Sequence, residues 1–215
     1  MIFLIVFADQ ALKIFVKTHY HVGESHAVFG NWFKLYFIEN EGMAYGWQFG
    51  GDWGKLLLTL FRMGAVVFGI FYLRKIVERK YHTGFIVCAS LIFAGALGNL
   101  IDSMFYGLLF EDSSPAHIAK IFPAHGYAGF LHGKVVDMLY FPVIRNAHFP
   151  SWFPFWGGEE FEFFRPIFNI SDAAISVGII TILVFQKRFF RVHSQDSSRK
   201  TIETGALVND EMQVL

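Results

Sequence analysis

Residues 84–105 read GFIVCASLIFAGALGNLIDSMF, without a charge from Phe85 through Ile101 and with Asp102 near the end. A bilayer core of about 30 Å takes roughly 20 mostly apolar helical residues, so this stretch reads as a membrane span. Working outward, three more segments approach the same length. Residues 55–73 carry Arg62 inside them, residues 166–186 open on a proline and carry Asp172, and residues 1–18 are interrupted by Asp9 and Lys13. A proline suits the first helical position, where the N–H has no intrahelical partner. A cleavable signal peptide is a poor reading of the first segment, which has charges in its apolar part, no basic leading region and no small-x-small site.

Composition agrees. Of 215 residues, 54% are hydrophobic and 19% aromatic while only 17% are charged, against about a quarter charged in a soluble domain. Eighteen basic and eighteen acidic side chains cancel, so the excess of Lys and Arg that a nucleic-acid surface needs is missing. The single Cys88 excludes an internal disulfide and any CxxC motif.

Orientation follows from Lys and Arg placement. Arg74, Lys75, Arg79 and Lys80 crowd the link between the second and third spans, and Lys187, Arg188 and Arg191 follow the fourth. The positive-inside rule puts both groups, and hence both termini, in the cytoplasm. The connections at about 19–54 and 106–165 then lie outside. The first is aromatic-rich and closes on a Gly-Gly-Asp turn, and reads as a small strand-rich platform. The second holds PSWFPFWGG at 150–158, whose aromatics suit the headgroup level. The expected fold is a mainly α membrane protein with four transmembrane helices, a small extracytoplasmic β-rich platform and a long outer loop. A single membrane domain covers 1–193, and the polar stretch 194–215 reads as a disordered cytoplasmic tail.

Ionisable groups inside a membrane are costly and point to function by default. Asp9 and Lys13, four apart on one helix face, read as a structural ion pair. Arg62 is assigned to packing or to lipid phosphate. Asp102 falls where the helix dipole disfavours an anion, so it needs a donor-rich partner or a task, and Asn99 shares its face. Small residues at Ala94, Gly95, Ala96 and Gly98 allow another helix to approach. Asp172 is read as six residues into the fourth span, one turn after Asn169. Asp137 lies in an apolar run returning to the membrane, so Asp102, Asp137 and Asp172 are expected to meet near the outer boundary.

Two carboxylates at one low-dielectric site share a proton: the ionised member takes a proton from water while the other hydrogen-bonds the carbonyl under attack. At this level a membrane aspartic hydrolase, a proton- or cation-coupled transporter and purely structural acids all remain open. Nine histidines include no HExxH and lie in separated segments, so neither a metal nor another cofactor is expected.

Five blocks lie in order along the chain: FADQALK (7–13), ENEGMAYG (39–46), GALGNLID (95–102), KVVDML (134–139) and FNISDAAI (168–175). Together they resemble the bacterial lipoprotein signal peptidases, or type II signal peptidases. The resemblance implies a catalytic pair at Asp137 and Asp172, polar residues lining or supporting the site at Asn40, Asn99, Asp102 and Asn169, and a supporting role for Asp9 and Lys13. It also implies a bacterial inner-membrane enzyme, read here as a monomer among phospholipid. Its substrate would be a diacylglyceryl-modified prolipoprotein, cut before the lipidated cysteine. Two departures stand out. Family members commonly have Arg where this chain has Ser103, leaving Arg145 and Lys134 as candidates for that guanidinium's work. The segments flanking Asp137 are also longer than usual, so the loop at 107–133 is not readable by analogy.

Overall fold

A computed structural model describes residues 1–30, 32–41, 51–142, 144–148, 160–163 and 167–190. The aromatic segment 150–158, the tail 194–215 and residues 42–46 of the second motif block lie outside the described residues.

The chain begins with helix α1 (Ile2–His19), followed by strands β1 (Ser25–Phe29) and β2 (Phe33–Asn40). Two long helices follow, α2 (Gly51–Glu78) and α3 (Thr83–Leu109). Then come β3 (Val135–Tyr140), β4 (Ile144–His148), β5 (Glu160–Phe163), β6 (Ile167–Phe168) and helix α4 (Ile170–Phe190). Strands β1, β2, β3 and β6 form one antiparallel sheet in that order, and β4 pairs with β5 in a second. The platform expected from the first outer connection therefore exists, but half of it comes from the second connection. In β2–β3 pairing, Ile38 stands opposite Asp137 and Asn40 opposite Val135.

Helices α2, α3 and α4 are long and apolar enough to cross a membrane. Helix α1 does not meet that standard, so the four-span count is not reached by length and composition. The reason is Asp9, Lys13 and Lys17, which follow one another at four-residue intervals on one face and are fully buried against protein. Its other face presents Phe3, Leu4, Phe7 and Phe15 outward. Exposed phenylalanines continue along α2 at Phe61, Phe68 and Phe71, so among the described residues phenylalanine is found on the outer surface more often than in a core. In water such a surface would aggregate; in lipid it is solvated.

Two apolar clusters bracket the bundle. Val16, Phe37, Tyr106, Phe110, Val136 and Met138 join α1, the sheet and the end of α3. At the opposite end Ile76, Phe85, Cys88 and Phe189 join α2, α3 and α4, and His82 caps α3 by accepting from the Gly84 N–H.

Helix α4 corrects an expectation. It starts at Ile170, not at Pro166, because Asn169 closes its N-terminus. The Asn169 side chain accepts from the Asp172 N–H at 2.9 Å, and the Asp172 carboxylate accepts from the Asn169 N–H at 3.3 Å. This reciprocal arrangement is a capping box with Asp in the third helical position. Asp172 thus sits in the first turn, where the helix dipole favours an anion, rather than deep within the span. The small residues of α3 meet that same turn: Ser171 lies against Gly95 and Gly98, and a Cβ built on Gly98 would stand 2.8 Å from Asp9 Oδ2 and closer still to Ser171 Oγ.

That contact yields a prediction. Gly98→Ala overpacks the α1–α3–α4 junction and lowers stability by about 1–3 kcal/mol. Gly64→Ala, whose Cβ meets nothing within 4 Å, leaves stability unchanged or raised. Thermal unfolding in detergent micelles distinguishes the two; equal melting temperatures would show that the close approach is not required.

Candidate active site

The capping box that starts α4 also starts the site. Asn169 is fully buried, and its side-chain amide faces away from its own helix. There Nδ2 donates to Asp137 Oδ1 at 2.7 Å, to the Val136 carbonyl at 3.4 Å and to Asn99 Oδ1 at 3.2 Å. Since the backbone N–H of the same residue holds Asp172, both carboxyls are within one hydrogen bond of Asn169. Asn99 of α3 completes the arrangement by donating from Nδ2 to Asp172 Oδ1 at 2.8 Å. On the far side, Asn40 at the end of β2 donates to Asp137 Oδ2 at 3.3 Å.

Three asparagines therefore hold two aspartates with neutral donors. Asp137 is 3% exposed, and burial, followed by the neighbouring Asp172 charge, pushes its pKa up to about 7 against the hydrogen bonds from Asn40 and Asn169. A carboxyl so placed is poised between its protonated and charged forms near neutral pH.

Asp102, expected to meet the other two, is instead part of a separate ionic group. Lys13 Nζ lies 2.8 Å from Asp9 Oδ2 and 2.7 Å from Asp102 Oδ2, and donates to Asn99 Oδ1 at 3.0 Å. Gln10 donates to Asp102 Oδ1 at 2.8 Å and accepts from the Tyr106 hydroxyl at 3.1 Å. Asp9 Oδ1 accepts from the Ser171 N–H at 2.9 Å, which reaches the first turn of α4. The Asp9–Lys13 pair expected from spacing is present, and its ammonium is also the donor-rich partner that Asp102 required. Asn99 joins the two groups: it receives hydrogen bonds from Lys13 and Asn169 and gives one to Asp172.

Several residues were not assigned from sequence. Gln10 sits inside the first motif block, but an amide between an Asp and an Ala carries no pattern of its own. Lys17 had a readable signal, since it extends the Asp9–Lys13 stripe by one more interval of four. It is buried, ion-paired with Glu39 and donates to Ser113 at 2.8 Å, and Phe110 and Tyr127 rings lie 5.4 and 5.0 Å from its ammonium. Arg62 has a protein partner that the sequence did not show: its Nη1 donates to Ser103 Oγ at 2.8 Å, and Ser103 in turn donates to the Asn99 carbonyl at 2.9 Å. A guanidinium thus reaches residue 103 from α2. Lys134, proposed for that work, is instead bound to Asp112 at 3.0 Å and Glu39 at 3.4 Å, and the Arg145 side chain lies outside the described residues. Among the described residues no three His, Cys, Asp or Glu side chains gather as metal ligands.

The chain was compared with known proteins. Residues 1–188 match the family described as signal peptidase (SPase) II. A lipoprotein signal peptidase of Porphyromonas gingivalis is 47% identical over 213 residues, covering 98% of this chain and 91% of the relative. One from Amoebophilus asiaticus is 34% identical over 188 residues, covering 86% and 75%. Among solved structures, a bacterial membrane enzyme determined in meso at 2.3 Å resolution matches with a TM-score of 0.53 at 23% identity, over 93% of this chain and 88% of that one, a likeness of fold. With the profile match spanning nearly the whole membrane portion, the chain belongs to the signal peptidase II family of proteases.

Proposed function

We propose that this protein is an intramembrane aspartic endopeptidase that removes signal peptides from diacylglyceryl-modified prolipoproteins, cutting before the lipidated cysteine. The observation that carries the reading is Asn169, which holds the Asp137 side chain with its amide and the Asp172 side chain with its backbone N–H. In this reading Asp137, whose pKa burial raises, carries the proton, and Asp172 in the first turn of α4 acts as the base. Asp172 then takes a proton from a water molecule as the water oxygen adds to the scissile carbonyl carbon. Asp137 gives its proton to the carbonyl oxygen. Collapse of the tetrahedral intermediate returns that proton to Asp137, and the departing amine takes the proton held by Asp172. Water has been added across the bond, and both acids are restored. Asn40, Asn99 and Asn169 orient the pair, while Asp102, Asp9 and Lys13 support the helices that carry it.

In this reading α1 is a fourth span whose charges are neutralised against α3, so both termini are cytoplasmic in the bacterial inner membrane. The site then lies near the outer leaflet, where a diacylglyceryl anchor brings the scissile bond. One membrane domain over 1–193, followed by a cytoplasmic tail, acts as a monomer among phospholipid. The transporter alternative needs acids at several depths. Four of the acids fall instead into two groups sharing Asn99, and the family relationship gives that alternative no support.

Three outcomes test the proposal. Purified protein cleaves a diacylglyceryl-modified prolipoprotein, and Asp137→Asn and Asp172→Asn each lower the rate by about a thousandfold or more while chelator has no effect; cleavage surviving both substitutions ends the mechanism. Activity falls as pH rises past about 7 with loss of the Asp137 proton. The Asn40 hydrogen bond lowers that pKa, so Asn40→Ala moves the alkaline limb of kcat/KM upward; a limb that stays in place would assign it to another group. Lys13→Met strands Asp9 and Asp102 and lowers stability by about 3–5 kcal/mol, and Asp137→Asn does not. Unfolding in detergent separates these two roles.

A further inference from the structure

A cavity of about 410 Å³, lined mainly by charged and polar side chains, opens between the start of α2, the loop after α3 and the end of β2. Its volume falls within the range of small ligand sites. Two stretches of chain link it to the pair. Glu41 lines it and directly follows Asn40, which donates to Asp137; Lys134 lines it three residues ahead of Asp137, about 10 Å along an extended chain. The walls are braced before any ligand arrives. Lys55 is paired with Glu41, and Lys134 with Glu39 and Asp112, while Tyr127 lies between the Lys17 and Lys134 ammoniums at 5.0 and 5.2 Å and accepts from the Lys134 N–H at 2.6 Å.

We infer that this cavity binds the substrate on the other side of the cut: the polar residues that follow the lipidated cysteine, in extended form. The inference rests on the peptidase reading and extends it. The signal-peptide side of the substrate is apolar and belongs to lipid, whereas the chain beyond the cysteine is polar and needs a polar path outward. About 10 Å of extended chain is three residues, so positions two to four of the mature protein are the ones that reach the cavity. Its lining sets a preference. Glu41, Asp52, Glu111 and Asp112 stand against Lys55 and Lys134, four carboxylates to two ammoniums. Both ammoniums are already engaged by carboxylates, so acidic residues entering there are repelled and neutral or basic ones are accepted.

The test uses full-length protein in detergent and diacylglyceryl-modified prolipoproteins that differ only at positions two to four after the cysteine. Substrates with Asp there should show kcat/KM about threefold or more below those with Ser or Lys, and the gap should close at high salt. Asp52→Lys and Asp112→Asn, both at exposed positions outside the aspartate pair, should narrow or reverse that gap, read as the ratio of the Asp to the Ser substrate within each variant. Equal rates across the series, or a gap indifferent to both substitutions, would overturn the inference and leave the peptidase reading standing. A photo-crosslinker at position three gives a readout that needs no turnover. Capture on Glu41, Asp52, Lys55, Glu111, Asp112 or residues 125–134 supports the cavity, and capture confined to other segments rejects it. Absence of cleavage in every substrate would instead count against the peptidase reading itself.

Discussion

The buried ammonium of Lys13 is the constraint around which the rest is arranged. An amine with no exposed surface in a membrane protein is tolerable only with close anionic partners, and Asp9 and Asp102 provide them from α1 and α3. Two carboxylates on one ammonium would be overcharged without further donors. Gln10 supplies one to Asp102, and the Ser171 N–H supplies one to Asp9. That last bond brings in α4, since Ser171 is in its first turn and can come so near only because Gly95 and Gly98 have no side chains. Neutralising one cation therefore brings three helices into register and places Asn169 and Asp172 beside Asn99.

A second buried amine does comparable work farther out. Lys17 joins α1 to Glu39 of β2 and to Ser113 of the long loop, and Lys134 continues the network into the residues just before β3. The loop from 110 to 134 is thus tied down at both ends of its path by ion pairs, with Tyr127 between the two amines. Strand β3 follows at once, and its pairing with β2 puts Asp137 within reach of Asn40. Helix packing sets one member of the pair and strand pairing the other. Asn169 is where the two meet, because it precedes α4 and follows β6, which pairs with β3.

How much of this could be read from the chain depends on the range of each interaction. Helices α2 and α3 are legible from their apolar runs, and the Asp9–Lys13 pair from a spacing of four, because both signals are local. The start of α4 was misplaced by Pro166, a strong local sign outweighed by the Asn169–Asp172 box three residues on. Asp102 was grouped with the wrong acids because its partner, Lys13, is 89 positions earlier, and no local pattern ties an acid on one helix to an amine on another. Arg62 escaped for the same reason: nothing in LTLFRMGA says that its guanidinium will reach Ser103. The motif blocks named the residues of the candidate site; which blocks touch is a property of tertiary packing alone.

Four buried or half-buried acids lie within two hydrogen-bonded groups, and the type of donor separates their roles. Asp9 and Asp102, on neighbouring helices, face an ammonium, so their oxygens are committed to a fixed cation. The Asp137 and Asp172 side chains face the amides of Asn40, Asn99 and Asn169. Neutral donors orient a carboxyl with about half the strength of a charged one, so they position the pair without forcing both members to ionise. Were Lys13 one helical turn nearer the pair, its charge would lower the Asp137 pKa further. Asn99 is the spacer that prevents this. Its oxygen accepts from the ammonium and its nitrogen donates to Asp172, so the cation fixes the aspartate's position through a neutral side chain while its charge stays with Asp9 and Asp102.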